Sequence, residues 1–114
     1  MSTTHLVMFR VSRTLSDEDR EAFVHAFERA LTGIPTIRDV KVGRRVVLGA
    51  GYDAGMESYD YMATLDFDSA ADLRAYLEHP VHQELGARFF ASVEAALVYD
   101  FDTVPGARLR ELID

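Results

Sequence analysis

Residues 58–83 read SYDYMATLDFDSAADLRAYLEHPVHQ, and this stretch decides the fold of the chain. Its first ten positions alternate between two faces, which is typical of a β-strand. One of these faces is entirely apolar or aromatic, and its members are Tyr59, Tyr61, Ala63, Leu65 and Phe67. Ser69 with Asp72 three residues later is typical of a helix N-terminus. We therefore predict a strand followed directly by a short helix that Pro80 ends.

A further helix and a strand follow the proline. Pro80 suits the first turn of a helix predicted over 81–95, because that position needs no N–H donor. Ala96–Phe101 is predicted as the last strand. The tail, residues 102–114, is expected to end in a short docked helix because it carries three further apolar residues: Leu109, Leu112 and Ile113.

The preceding half of the chain completes the pattern. His5–Val11 alternates as a strand, and Ser16–Gly33 carries an N-cap, acids in the first turn and one apolar stripe, as amphipathic helices do. Ile37–Leu48 is predicted as a strand rich in valine, and a loop of roughly ten residues begins at Gly49. The order β-α-β-β-α-α-β predicts one α+β domain over 1–114, a ferredoxin-like split β-α-β fold with a four-stranded antiparallel sheet.

The sheet is expected to have a second apolar face. Helices in this topology cover one face only, yet Leu6, Met8, Met62 and either Leu97 or Val98 would lie on faces that the helices cannot all cover. Such a patch usually marks an interface. We therefore predict a homodimer through the sheet face, unless the tail folds over that face instead.

Composition restricts the class of protein. Hydrophobic residues make up 48% and charged residues 27%, which is typical of a globular chain. The net charge of −7 and the lack of a Lys/Arg run argue against a nucleic-acid partner. Arg10 and Arg13 interrupt the N-terminal apolar stretch, so neither a signal peptide nor a membrane partner is expected. The absence of cysteine fits a reducing interior, and we expect a cytoplasmic protein.

Three stretches resemble the stress-responsive dimeric α/β-barrel domain family. They are Thr4–Phe9, the Tyr61–Phe67 strand with residues 72–83, and Leu97–Phe101, and the resemblance covers about residues 4–101. The most specific element is His-Pro-Val-His at 79–82, after an amphipathic helix. The resemblance implies a ferredoxin-like protomer whose sheet joins that of a second copy into a dimeric α+β barrel.

The resemblance also implies candidate catalytic residues. A cyclase of this family closes a linear polyketide by an aldol condensation without a cofactor, and its catalytic tyrosine–histidine pair falls at Tyr76 and His82. Its first-strand histidine, a feature shared with a lyase of the same fold, falls at His5. Another pocket histidine of the cyclase falls at Tyr61, a bulkier phenol, so the resemblance does not establish the identity of the substrate.

The residues themselves allow two interpretations of this constellation. His5 shares a strand face with Val7 and Phe9, so it is either a neutral core histidine or a pocket acid or base. We predict that one pocket for a small, largely apolar ligand is lined by His5, Tyr59, Tyr61, Tyr76, His82 and Phe89. In acid–base chemistry, His82 would be the general base and Tyr76 or His5 would donate a hydrogen bond to an oxyanion.

No metal and no cofactor are expected. His79 and His82 are three residues apart, but no third ligand has supporting spacing. His79 is predicted to be a capping or surface group, and His25 a solvated one. The sequence carries no phosphate-binding loop or dinucleotide fingerprint.

Three functions remain open from the sequence. The first is a ligand-binding dimer with cofactor-free acid–base catalysis of the cyclase, isomerase or lyase type. The second is a non-enzymatic stress-response or structural dimer, which a filled cavity would favour. The third is a cofactor-free small-barrel monooxygenase, a related group that shares the fold but lacks the His-Pro-Val-His type of element.

Overall fold

The computed structural model describes residues 1–113, which form four strands and four helices. The strands are β1 (Ser2–Val11), β2 (Asp39–Arg44), β3 (Tyr61–Phe67) and β4 (Val93–Thr103). The helices are α1 (Asp17–Gly33), α2 (Ala70–Glu78), α3 (Pro80–Ser92) and α4 (Arg110–Ile113). All neighbouring strands are antiparallel, in the order β2-β3-β1-β4. The predicted ferredoxin-like α+β fold with a four-stranded antiparallel sheet is thereby confirmed.

The core lies between the helices and one face of the sheet. Ala63, Leu65 and Phe67 of β3 are at most 1% exposed beneath the helices. The helices begin where the sequence predicts, since the Ser16 hydroxyl accepts a hydrogen bond from the Asp19 N–H at 3.1 Å. Ser69 caps α2 in the same way. Local capping and the apolar stripes therefore place the helices on the sheet.

Two strand boundaries differ from the prediction on either side of the β2–β3 connection. β2 ends at Arg44 rather than at Leu48, and β3 begins at Tyr61 rather than at residue 58. Arg44 and Tyr61 are the last paired residues, so the valines beyond Arg44 have no ladder partner despite their strand propensity. The connection therefore spans 45–60 and contains a 3₁₀ turn at Gly51–Asp53.

The C-terminal end of the chain differs as well. α3 ends at Ser92, and β4 is eleven residues long because it pairs with the whole of β1. The tail does contain the short helix α4, but the prediction that it docks is wrong. Its three apolar residues remain about half exposed or more: Leu109, Leu112 and Ile113.

The second face of the sheet carries a continuous apolar patch. Met8 lies opposite both Met62 and Leu97 in the two ladders, and Leu6 lies opposite Tyr99. The register assigns Val98 to the helix side, beside Val7, and Leu97 to the patch. We call this patch the open face, and it consists of Leu6, Met8, Met62, Leu97, Tyr99 and Phe101.

Candidate functional site

The central strand positions His5 under the helices. His5 is 5% exposed, and its alternation with Val7 and Phe9 turns all three side chains toward the core. Asp100 of β4 lies directly opposite in the ladder, and His5 Nδ1 is 2.6 Å from Asp100 Oδ1. Because a carboxylate accepts, Nδ1 carries the hydrogen, which leaves Nε2 for other partners. Asp100 thus fixes the orientation and the tautomer of the histidine.

The junction of α2 and α3 positions Tyr76 and His82. His79 joins the two helices, and its Nδ1 accepts a hydrogen bond from the Val81 N–H at 3.1 Å while Pro80 opens α3. His79 is therefore a cap, as predicted. The sharp turn brings His82 against Tyr76, with ring centroids 4.6 Å apart in an edge-on arrangement.

Aromatic contacts connect these residues to the first-strand histidine. The His5 and Tyr76 ring centroids are 5.8 Å apart, and Tyr76 also packs on Phe67 at 5.5 Å. Within the described range 1–113, no side-chain hydrogen bond engages the Tyr76 hydroxyl. The phenol is thus held by packing, and its hydroxyl is available to a ligand.

Burial shifts the acid–base properties of this group in useful directions. Burial raises the pKa of Tyr76 to about 12, so the phenol stays protonated and can donate. Burial also lowers the pKa of His82 below 6.5, and the charge of a protonated His5 lowers it further. A hydrogen bond to the Leu77 backbone acts in the opposite direction. His82 is therefore a neutral base at pH 7 beside a neutral phenol donor.

A cavity of about 500 Å³ adjoins these groups between β1, β4, α2 and α3. We call it the histidine cavity, and His5, Tyr76, His82, Phe89, Glu94 and Val98 are among its lining residues. Its walls are mostly apolar, as in typical small-molecule sites. Glu94 is fixed by hydrogen bonds from Arg10 Nε at 3.1 Å and the Arg13 N–H at 3.2 Å, which lower its pKa.

Tyr59 and Tyr61 lie outside the histidine cavity, which differs from the prediction of a single pocket. Tyr61 lies at the start of β3 and lines a separate cleft of about 610 Å³ between α1 and the β2–β3 edge, which we call the α1 cleft. Tyr59 precedes β3 and lines neither space. The difference arises because Tyr61 lies at the start of β3, whereas His5 of β1 lies opposite Leu65, nearer the other end of β3.

Sequence reasoning missed Asp100 as a member of this constellation. The sequence does carry a signal of a functional acid here. Asp100 alternates with Ala96 and Val98, so it lies on the helix side of β4 among apolar residues. Its partner is 95 residues away, however, and only the ladder register reveals the pairing.

Residues 1–113 contain neither a metal-binding cluster nor a membrane-spanning helix. No three His, Asp or Glu side chains in this range are grouped so that they could hold a metal ion. None of the helices in this range combines the length and apolar character needed to cross a membrane.

Comparison with known sequences identifies relatives of the chain. The sequence profile of the Stress Responsive A/B Barrel Domain matches residues 3–103. The chain is also 23% identical to olivetolic acid cyclase from Cannabis sativa over 101 residues, which cover 89% of this chain and 96% of that protein.

Comparison with solved structures supports the same fold. The hydroxynitrile lyase from Passiflora edulis superposes with a TM-score of 0.72 at 20% identity, covering 91% of this chain and 97% of that one. A dimeric ferredoxin-like protein of unknown function from Thermobifida fusca gives a TM-score of 0.69 at 24% identity, covering 90% and 92%.

Proposed function

The chain belongs to the stress responsive A/B barrel domain family, and on this premise we propose that it is a homodimeric α+β barrel that binds a small, largely apolar ligand in the histidine cavity. We further propose that it performs cofactor-free acid–base catalysis there, of the cyclase, isomerase or lyase type. His82, Tyr76 and His5 are the proposed catalytic residues.

One observation carries this proposal. A neutral imidazole, a protonated phenol and a carboxylate-oriented imidazole converge on one mostly apolar cavity of about 500 Å³. A purely structural dimer has no reason to keep such a space open, because packing it would add stability. Perturbed titratable groups in a cleft are typical of catalytic sites.

The proposed chemistry is a proton transfer with charge developing on oxygen. In a cyclisation, His82 removes a proton from the carbon beside a carbonyl, this carbon forms a bond to a second carbonyl carbon of the same ligand, and the proton passes from His82 to the resulting alkoxide. In a cyanohydrin cleavage, His82 removes the hydroxyl proton, the C–CN bond breaks as the carbonyl forms, and the proton passes from His82 to the departing cyanide. The Tyr76 hydroxyl donates a hydrogen bond to a substrate oxygen that carries negative charge during the reaction. His5 donates from Nδ1 to Asp100, so its Nε2 accepts a hydrogen bond from a hydroxyl group of the ligand. The apolar walls exclude water and strengthen these interactions.

Dimerisation through the open face is the second part of the proposal. A monomer of 12.8 kDa typically exposes about 6,300 Å² of surface, whereas this chain exposes 7912 Å². The excess of about 1,600 Å² is ample for a standard interface, which covers about 800 Å² per partner. The related Thermobifida fusca protein is dimeric, which supports the same assembly here.

The catalytic proposal is tested with two reactions in the presence of EDTA. We expect the protein to accelerate the cyclisation of a linear polyketone or the release of benzaldehyde from an aromatic cyanohydrin. His82→Ala should reduce the rate by at least 100-fold, because general-base catalysis typically contributes that much. Tyr76→Phe keeps the ring and should change the free energy of unfolding by no more than about 1 kcal/mol, while the rate falls much further.

Matched variants keep this experiment decisive. His25→Ala alters a histidine that is exposed on α1 and should leave rates unchanged. If His82→Ala and Tyr76→Phe alter only the melting temperature, or if the histidine cavity binds neither substrate, the catalytic proposal is wrong.

A further inference from the structure

Residues 104–113, which we call the arm, form an ordered segment beyond the part of the chain that matches the family. The family profile ends at residue 103, where β4 ends as well. A 3₁₀ turn at Gly106–Arg108 then leads into α4, and the Arg108 N–H donates to the Pro105 carbonyl at 2.8 Å. An isolated helical segment of this length is marginal in water, so we expect a contact outside the arm to stabilise it.

One side of the arm is apolar. Leu109, Leu112 and Ile113 follow the spacing i, i+3, i+4, which places them on the same side of a helical turn. Their exposed fractions are 56%, 48% and 71%. Two arginines and one glutamate occupy the remaining sides. An amphipathic turn of this kind is typical of a segment that packs against another surface.

The arm begins at the rim of the open face. Tyr99 and Phe101 are the last members of that patch along β4, and both side chains are about half exposed. Their ring centroids are 6.1 Å apart. The arm follows Thr103, only two residues later. In a face-to-face dimer, the first surface beyond this rim belongs to the second copy.

The edge strands indicate which part of the second copy lies there. The strand order makes β2 and β4 the two edges of the sheet, and the antiparallel ladders make them run in opposite directions. A closed barrel leaves no free edge, so each edge strand meets an edge strand of the partner. With the two-fold axis along the strands, the C-terminal end of β4 lies beside the N-terminal end of the partner's β2.

The start of β2 and the arm carry complementary charges. Asp39 begins β2 and lies directly opposite Asp66 in the β2–β3 ladder, where like charges are unfavourable. Two arginines and one glutamate give residues 104–113 a net charge of +1, in a chain of net charge −7. Over residues 1–113, neither Asp39 nor Arg110 forms an ion pair. An arginine supplied by a second copy would therefore offset the repulsion between the two aspartates.

We propose that the arm packs on a second copy of this chain, with its apolar side against the rim of the partner's open face and Arg110 beside the partner's Asp39. The exposed surface in excess of a typical monomer is about 1,600 Å². A standard interface takes about 800 Å² of it per partner, which leaves room for the arm as well. This contact requires the proposed dimer but no catalysis in the histidine cavity.

Cross-linking between two single-cysteine variants tests this contact. The chain has no cysteine, so Lys41→Cys and Ala107→Cys each carry one thiol and keep both Asp39 and Arg110. After the two variants are mixed and have exchanged protomers, a short bismaleimide should join them into a product of about twice the 12.8 kDa chain mass. Each variant alone should give little of this product, because the arm of one copy contacts the β2 of the other.

Substitutions in the arm should weaken the dimer. Leu109→Ser and Leu112→Ser each remove an apolar contact that occurs twice in a two-fold dimer, so the dimer Kd measured by sedimentation should rise at least tenfold. Circular dichroism spectra should not change, since both residues lie outside the sheet. Phe90→Ser is the control, because it replaces an exposed apolar residue of α3 on the helix side and should leave the Kd unchanged.

A charge exchange identifies the proposed ion pair. Arg110→Glu should raise the dimer Kd about tenfold, and the addition of Asp39→Arg should restore it. Unchanged Kd values in all arm variants, no cross-link in the mixture, or a product of monomer mass from a chain carrying both cysteines would overturn the arm contact and leave the proposed dimer standing. A monomeric unmodified protein would overturn both.

Discussion

The surroundings of His82 keep its imidazole neutral at physiological pH. Half-buried between α3 and Tyr76, the ring loses hydration that its charged form needs, which lowers its pKa from the ordinary value of 6.5. A protonated His5 in the same cavity acts in the same direction. The base of the proposed reaction is therefore ready at pH 7 without a deprotonation step.

The pH dependence of turnover follows from these shifts. The proposed base acts in its neutral form, so kcat/KM should fall as pH decreases through the lowered pKa of His82, with a midpoint below 6.5. Tyr76 donates in its protonated form and has a pKa of about 12, so it should cause no decline up to pH 10. A rate profile from pH 4.5 to 10 checks both limbs. A midpoint above 7 would contradict the assignment of His82 as the base.

Single residues were predictable to the extent that their environment is local. The inward orientation of His5 follows from strand alternation, and that of Tyr76 from helical spacing. The contact between His5 and Asp100 could not be predicted in this way, because it depends on the register of two strands at opposite ends of the chain. The separation of Tyr61 from His5 depends on the register between β1 and β3, which places His5 opposite Leu65 and Phe9 opposite Tyr61, and alternation does not reveal this register.

At the scale of secondary-structure elements, His79 caps both helices at the junction of α2 and α3. It ends α2 through its backbone N–H, which donates to the Tyr76 carbonyl at 3.2 Å, and it begins α3 through its side chain. Tyr76 and His82 lie on either side of this junction. The geometry of the proposed catalytic pair therefore depends on a residue that does not touch the histidine cavity.

Replacing this cap tests its contribution to stability. His79→Ala removes the acceptor for the Val81 N–H and should lower the free energy of unfolding by about 1 kcal/mol in urea denaturation. His79→Asn restores an acceptor and should recover most of that loss. If the alanine and asparagine variants are equally stable, the hydrogen bond is not what stabilises the junction.

The elements differ in how far the sequence determines their ends. The N-caps at Ser16 and Ser69 are local chemistry, and both helices begin there. The end of β2 is not local, because Val46, Val47 and Leu48 have strand propensity but lie beyond the last paired residue of β3. All three are more than 60% exposed.

At the scale of the whole molecule, the open face makes a dimer the expected state. Light scattering at micromolar concentration should give about twice the mass of the 12.8 kDa chain. Met8→Asp places an unpaired charge where Met8 meets Met62 and Leu97, and desolvating it costs several kcal/mol. We therefore expect monomer or aggregate from this variant.

A control variant separates the interface from general effects of charge. Ala71→Asp adds the same charge on the exposed side of α2, away from the open face, and should remain dimeric. A monomeric unmodified protein would contradict dimerisation through this face. Prediction of the open face from sequence required only strand alternation, but choosing Leu97 over Val98 required the register of β4.

The position of β1 in the sheet has a consequence for synthesis of the chain. β1 is a central strand of the sheet. One of its two neighbours is the edge strand β4, which follows it about 90 residues later in the sequence. At cellular translation rates, β1 leaves the ribosome roughly 5–20 s before β4. During that interval the apolar segment His5–Val11 has an unpaired edge, which is a template for aggregation. We therefore expect the nascent protein to depend on chaperones that hold extended hydrophobic segments.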